Sequence, residues 1–317
     1  MLNIYDTGTD ARWNLAAEEY LLHRFSEPVF RLWRNADSII IGRHQNAYAE
    51  IDLEYVREHG IKVVRRMTGG GAVFHDLGNV NYSFFNLRGQ DFTEPVISAL
   101  AALGLSAGKS GRNDILLDGR KISGTAAFRQ GDRLLQHGTL LFSASMPSLS
   151  KALRPRPEKF ADKAVKSTVS RVTNISEHLA VPMSVEEFFD SVFAAVDPEG
   201  TPYTYTEEDL EAIGRLCREK YGTEEWNFGK APAYSLSRVK KFPAGLVELY
   251  LKVEEGRIAD LQIAGDYFFT LPTEEFCRAM VGCTHEEKEI AGRLSGLAVG
   301  EYFSGITAEE LAQLFFS

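Results

Sequence analysis

The chain has 317 residues, 44% hydrophobic and 25% charged, with a net charge of −9, long enough for one large domain and a smaller one. The acidic balance argues against a general nucleic-acid binder, and no apolar run reaches the length of a membrane span. The start, MLNIYDTGTDARWN, lacks the basic head and apolar core of a secretion signal, so a cytoplasmic chain without nucleic-acid or membrane partners is expected.

Asp10 precedes a helical pattern over 11–25, in which Trp13, Ala16, Ala17, Tyr20 and Leu21 share one face and Glu18 and Glu19 are expected to face away. Pro28 ends it. Val29 to Trp33 alternates as a strand, and Ser38 to Ile41 reads as a buried strand stopping at Gly42. The polar run Gly42-Arg43-His44-Gln45-Asn46 follows. A helix over 52–59 takes Asp52 as its N-cap and Gly60 as its stop.

The chain then reaches Arg65-Arg66-Met67-Thr68-Gly69-Gly70-Gly71-Ala72-Val73-Phe74-His75-Asp76. Ile61, Val63 and Val64 lead into it, and the alternating Val80, Tyr82 and Phe84 lead out. The pattern predicts a glycine-rich hairpin. Bare glycines let N–H groups approach a ligand closely, successive N–H groups make an anion-binding concavity, and arginine adds planar donors that stay charged. The plainer alternative is a tight turn carrying a solvated arginine pair.

A helix over about 94–103 ends at Gly104. From Gly111 the pattern turns antiparallel: 114–117, a turn at Asp118-Gly119, 121–128, a turn at Gly131-Asp132, then 134–142. Asn113 and Asp114 open one of these strands and Lys121 the next. A lysine on a rigid element offers a point cation to a phosphate that changes geometry as it reacts, although a lone lysine is more often a solvated surface charge. In Gln136-His137-Gly138-Thr139 the glycine marks a bulge or a close approach. His137 is either a ligand contact or a hydrogen-bonded structural imidazole, and His75-Asp76 either a contact or a loop-fixing pair.

Residues 151–172, with two prolines and many cations, read as a loop with one short helical turn. Ser184 and Glu187 form a capping box for a helix over 185–195, and Thr206 opens another over 207–220. The run from Pro232 to Pro243 reads as a connector. A hairpin (246–253, 257–263) and helices at 273–281, 284–294 and 307–316 close the chain. These elements make an α+β fold of mixed, mainly antiparallel sheets flanked by helices, divided into domains over 1–238 and 239–317.

Charge is unevenly spread. Lys109 to Arg133 holds six basic residues against three acidic, which suggests a site for a small anion. The cysteines, Cys217, Cys277 and Cys283, match no zinc spacing and read as free thiols.

RRMTGGGAVFHDLGNVNYSF, GRNDILLDGRKISGTA, LQHGTLLF and KSTVSRVTNI, in this order, resemble the lipoate–protein ligase family from Asn14 to about Leu179, and NFGKAPAY with the C-terminal hairpin resembles the accessory domain of its two-domain members. The resemblance implies two steps: lipoate attacks the α-phosphorus of ATP to give lipoyl-AMP and pyrophosphate, then an acceptor lysine takes the lipoyl group and AMP leaves. It implies that Arg66 and the Gly71-Ala72-Val73-Phe74 backbone hold the nucleotide, with Asn113 and Asp114 as Mg²⁺ or ribose contacts and Asp114 the metal candidate. Lys121 is implied to be catalytic, touching both the ATP phosphate and the lipoyl carbonyl. Lipoate itself is expected near Gly70, Gly71, His75, His137 and Gly138, with Trp33, Ile41 and Phe74 in an apolar pocket and Arg43 at its rim. The loop around Lys163 and Lys166 resembles a lid over the adenylate. The implied partners are the glycine-cleavage carrier protein and the lipoyl domains of 2-oxoacid dehydrogenase E2 subunits.

Two rivals stand beside this reading. An octanoyl or lipoyl transferase working through a cysteine thioester needs a thiol in the catalytic domain, and no cysteine precedes residue 217. A non-catalytic module would hold lipoyl-AMP as a sensor or act as the partner of another ligase; against it, Lys121, the glycine loop and both arginines are intact.

Overall fold

Period-two alternation builds the sheets of this molecule, and the two faces it generates divide the apolar core from the polar candidate site. A computed structural model describes residues 1–45, 47, 51, 53–111, 113–145, 172–228, 236–254 and 256–316. The expected lid around Lys163 and Lys166, the helical turn within 151–172 and most of NFGKAPAY lie outside the described residues.

In chain order the strands are β1 (Leu2–Tyr5), β2 (Val29–Trp33), β3 (Ser38–Ile41), β4 (Lys62–Arg65), β5 (Val73–His75), β6 (Asn79–Phe85), β7 (Ala107–Ser110), β8 (Asp114–Leu117), β9 (Arg120–Gln130), β10 (Arg133–Leu141), β11 (Thr201–Pro202), β12 (Leu236–Phe242), β13 (Gly245–Glu254) and β14 (Arg257–Gly265). The helices are α1 (Ala11–Arg24), α2 (Leu53–Glu58), α3 (Thr93–Ala102), α4 (Val185–Val196), α5 (Glu207–Leu216), α6 (Glu224–Phe228), α7 (Thr273–Met280), α8 (Glu287–Ser295), α9 (Val299–Tyr302) and α10 (Ala308–Leu314). None is long and apolar enough to cross a membrane.

An eight-stranded sheet runs β11-β1-β2-β6-β10-β9-β8-β7, and two three-stranded sheets run β4-β3-β5 and β12-β13-β14. The large sheet is mixed, because β1 pairs in parallel with both β2 and β11 while β2, β6, β10, β9, β8 and β7 follow one another antiparallel. Phe30, Tyr82, Phe84, Ile115, Ile122 and Leu140 leave one face of it to pack with Val96 and Leu100 of α3 and Phe188 and Val192 of α4. Burying one such side chain contributes about 1.5–3 kcal/mol. The alternate residues of the same strands face α1 and the β4-β3-β5 sheet. The Ser184 capping box forms as its spacing predicts, and Asp118 and Gly119 both take positive φ in the tight β8–β9 turn.

Four expectations fail. The glycine-rich stretch is not a hairpin: β4 and β5 do not pair with each other but flank β3, so residues 66–72 cross over the end of that strand. The connector before residue 243 is largely strand β12, paired residue by residue with β13. Glu18 does not face away from the α1 core; it is 1% exposed. The helix read over 207–220 stops at Leu216 and continues as a π-turn over Cys217–Tyr221.

The C-terminal sheet and α7 to α10 enclose their own core, from Phe242 through Phe276, Ile290 and Leu294 to Phe315.

Candidate active site

The face of the large sheet beneath α1 is lined by polar side chains that water does not reach. The Glu18 carboxylate accepts from Ser83 Oγ at 2.6 Å and lies 2.9 Å from His137 Nδ1. Ser83 in turn accepts from Trp33 Nε1 at 2.8 Å, and His137 Nε2 meets Thr68 Oγ1 at 2.8 Å. Beside them, Asn35 bonds His75 Nδ1 at 3.0 Å, and Thr139 Oγ1 lies 3.2 Å from His75 Nε2 and donates to Asn81 at 2.9 Å. Buried polar groups are tolerable only when paired in this way. Burial pushes the Glu18 carboxyl up, but His137, Ser83 and Arg31 outweigh it and hold Glu18 below the ordinary carboxylate range. Burial, with Arg66 and His137 nearby, pushes His75 down to about 3, so its imidazole is neutral at physiological pH.

The glycine stretch is held from within. Arg66 is buried; its Nε donates to Thr68 Oγ1, its Nη1 to Ile40 O, and its Nη2 to Gly69 O at 2.7 Å and Gly71 O at 2.9 Å. Arg65 donates to the carbonyls of Trp226, Gly42, Arg43, Gln45 and Asn227. All these acceptors are uncharged, and burial pushes both guanidinium pKa values down to about 10, which leaves two positive charges behind the turn. Gly70 takes φ +89°, and a Cβ on Gly42 would stand 1.9 Å from Gly70 O. The two backbones touch as only glycine allows.

Lys121 stands at the rim of this face. Its Nζ lies 2.7 Å from Asp114 Oδ1, both side chains being 34% exposed. The ammonium also lies 3.1 Å from where a Cβ of Gly124 would be. Gly124 is the cross-strand partner of Thr139, and Thr139 that of Asn81. Directly opposed residues share a face, so the Lys121 ammonium shares one with Thr139, His75 and His137. Asn113 is engaged through its backbone, its carbonyl accepting from Thr125 N at 2.8 Å.

The other expected residues divide. Ala72 and Phe74 pack with Ile41 against α2, whereas Trp33 belongs with Ile40 in a separate cluster under α1, so Trp33, Ile41 and Phe74 do not line one pocket. Val73 is exposed and Gly71 partly so. Gly138 forms no bulge: the position of its absent Cβ is filled by the Tyr82 hydroxyl at 2.4 Å, on the face opposite His137. Arg43, expected at the lipoate rim, pairs with Glu274 at 3.1 Å and stacks 4.6 Å over the Trp226 ring.

Sequence reading missed Glu18, Thr68, Ser83, Asn35 and Thr139, which organise the face, and the C-terminal segment that meets the glycine turn. Gly70 N bonds Tyr267 O, Gly265 N bonds His44 O at 2.8 Å, and His44 stacks on Tyr267 with ring centres 5.3 Å apart. A polar residue within an apolar helical stripe was the available signal for Glu18. Nothing local marks the Gly70–Tyr267 contact.

No cluster of three or more His, Cys, Asp or Glu suited to a metal occurs among the described residues. Of the thiols, Cys283 is buried, and burial raises Cys217 and pushes Cys277 up to about 12. None is an activated nucleophile.

Residues 10–197 match the family model described as the lipoyl protein ligase A/B catalytic domain, and residues 231–315 match that of the bacterial lipoate protein ligase C-terminus. The lipoate-protein ligase LplJ of Bacillus subtilis is 43% identical, the match covering 97% of both chains. Among solved structures, Plasmodium falciparum LipL1 in complex with lipoate superposes with a TM-score of 0.75 at 26% identity, covering 93% of this chain and 94% of that one. A bi-partite lipoate protein ligase of Thermoplasma acidophilum, described with its E2 lipoyl domain, gives 0.63 at 32% identity over 74% and 98%. A lipoate-protein ligase A bound with ATP gives 0.61 at 30% over 72% and 98%.

Proposed function

This chain belongs to the lipoate–protein ligase family and joins lipoate to proteins with ATP; on that premise we propose that the sheet face beneath α1, with Lys121 at its rim, carries both half-reactions. The observation that supports this is the shared face of the Lys121 ammonium, His75, His137 and Thr139.

In the first step a lipoate carboxylate oxygen bonds the α-phosphorus and pyrophosphate leaves. Charge grows on the phosphoryl oxygens, and the Lys121 ammonium, exchanging Asp114 for a phosphate oxygen, stabilises it where it develops. In the second step the acceptor amine, having lost a proton, adds to the lipoyl carbonyl and AMP departs, with Lys121 placed for the carbonyl oxygen. Arg66 acts on the nucleotide by fixing the carbonyls of Gly69 and Gly71, which presents the Gly71 to Phe74 backbone, and by the charge it keeps behind the turn. Lipoate is read as lying along His75 and His137, with Trp33 bounding its apolar end.

Mg²⁺ fits this site best as an ion carried largely by the nucleotide: Asp114 is the partly exposed carboxylate beside Lys121, and a carboxylate plus phosphate oxygens satisfies this cation. When bound, it would neutralise phosphate charge. The division into catalytic and accessory units is best set before Leu236, because a cut at residue 239 would split β12. The acceptors are read as glycine-cleavage carrier protein and E2 lipoyl domains, and the compartment as cytoplasmic.

The test is incubation with ATP, Mg²⁺, lipoate and a panel of acceptor domains, weighed by mass spectrometry. A lipoyl mass increment that needs ATP is expected. Transfer from a lipoyl or octanoyl carrier without ATP would overturn the reading in favour of the thioester transferase.

A further inference from the structure

Trp226 and Asn227 lie between the two spans matched by the family models, yet they hold Arg65 through four hydrogen bonds. Asn227 Oδ1 accepts from Arg65 N at 2.9 Å, Asn227 O from Arg65 Nη2 at 2.9 Å and Trp226 O from Arg65 Nε at 2.9 Å, while Trp226 Nε1 donates to Arg65 O at 2.9 Å. Asn227 is itself fixed, its Nδ2 donating to Tyr221 O and Thr223 O. The Trp226 ring lies under two cations, Lys220 Nζ at 4.0 Å and the Arg43 guanidinium at 4.6 Å.

From Arg65 the connection continues inward. Arg65 Nη1 draws together the carbonyls of Gly42, Arg43 and Gln45. The Gln45 side chain closes that turn on Gly42 N at 2.9 Å, and Arg43 N donates to Thr68 O at 2.8 Å. Gly42 then presses directly on the Gly70 carbonyl. A planar guanidinium with several good acceptors has little freedom, so a shift at residues 226–227 passes through Arg65 to the 42–45 turn and the glycine turn.

We propose that Trp226 and Asn227 are positioning residues for nucleotide binding, acting through Arg65 on the glycine turn. The inference rests on the reading that this turn holds ATP. Because the turn binds the nucleotide before and during reaction alike, loosening it raises the KM for ATP more than it lowers kcat.

Lipoate-dependent pyrophosphate release with varied ATP tests this, beside thermal melting of each variant. Asn227→Ala should raise the ATP KM about tenfold with kcat within about threefold. Asn227→Asp keeps the acceptor for Arg65 N but loses both Nδ2 donors, so it should restore the KM even where it does not restore the melting temperature. A folded Asn227→Ala chain with an ATP KM within about twofold of the parent, or an Asp variant as poor as Ala, overturns the proposal. Should Asn227→Ala not fold, Trp226→Phe keeps the ring between its two cations and removes only the N–H to Arg65. It should raise the ATP KM about threefold, and an unchanged KM overturns the proposal. If the parent chain itself makes no lipoylated acceptor from ATP, the functional reading fails instead, and the two failures are distinct.

Discussion

The Lys121 ammonium and the Asp114 carboxylate face each other at 2.7 Å across the β8–β9 pair, both a third exposed. An ion pair this wet contributes about 0–1 kcal/mol to stability, so exchanging the carboxylate for a substrate oxygen costs the fold little. On the proposed reading, the pair is the resting arrangement of the reacting cation.

Lys121→Ala should therefore fold, with a stability change under about 1 kcal/mol. Its lipoate-dependent pyrophosphate release should fall by about 10²–10³-fold, the usual loss on removing a group aimed at developing charge. Turnover at the parent rate would remove Lys121 from the mechanism.

Glu18 behaves differently because it is closed off from water among His137, Ser83 and Arg31. Glu18→Ala takes the negative partner from a buried imidazole and nearby guanidinium groups, and should cost about 3–5 kcal/mol in urea unfolding. A loss below about 1 kcal/mol would mean that the network tolerates an open position.

His75 sets a pH dependence whose sign is fixed by the direction of its shift. Its folded pKa, about 3, lies below the ordinary 6.5, so the unfolded chain takes up the proton first as pH falls. The stability due to the neutral imidazole is full above pH 6.5 and declines from there toward pH 3, by about 2 kcal/mol at pH 5. His44, also pushed down to about 3 by burial, adds in the same window. Denaturant titrations at pH 7 and pH 5 measure this, and His75→Gln should flatten the slope. Equal stability at the two pH values would show that both imidazoles can charge in place.

Gly42→Ala tests the backbone contact at the turn. A methyl group 1.9 Å from Gly70 O cannot be accommodated without displacing one backbone, an overpacking cost of about 1–3 kcal/mol. Nucleotide affinity, followed by equilibrium binding of ATP, should fall along with the melting temperature. A variant that melts as the parent does and binds ATP equally well would contradict the contact.

Local chemistry made part of this legible in the sequence. Asp118-Gly119 announced its turn because two consecutive positive φ values suit few residue pairs, and Ser184 with Glu187 announced a helix start. Lys121, His75 and His137 stand in motifs legible in the sequence, and their side chains converge over one face of the large sheet. Glu18 was misplaced because a helical wheel scores polarity and not pairing; a carboxylate with His137 and Ser83 waiting for it can occupy a core position. The glycine stretch was misread as a hairpin because the strand inserted between its arms, β3, comes earlier in the chain, and pairing order is a long-range property. Strand β12 was hidden by Arg238, Lys240 and Lys241, which suit an edge strand as well as they suit a loop.

The seam where Gly70 donates to Tyr267 and His44 lies flat on the same ring joins parts of the chain nearly 200 residues apart. Loosening either side would leave the N–H of Gly70 or of Gly265 without its partner. On the proposed reading that this turn holds ATP, melting of the small C-terminal core should loosen the turn, and added ATP should raise the melting temperature of that core.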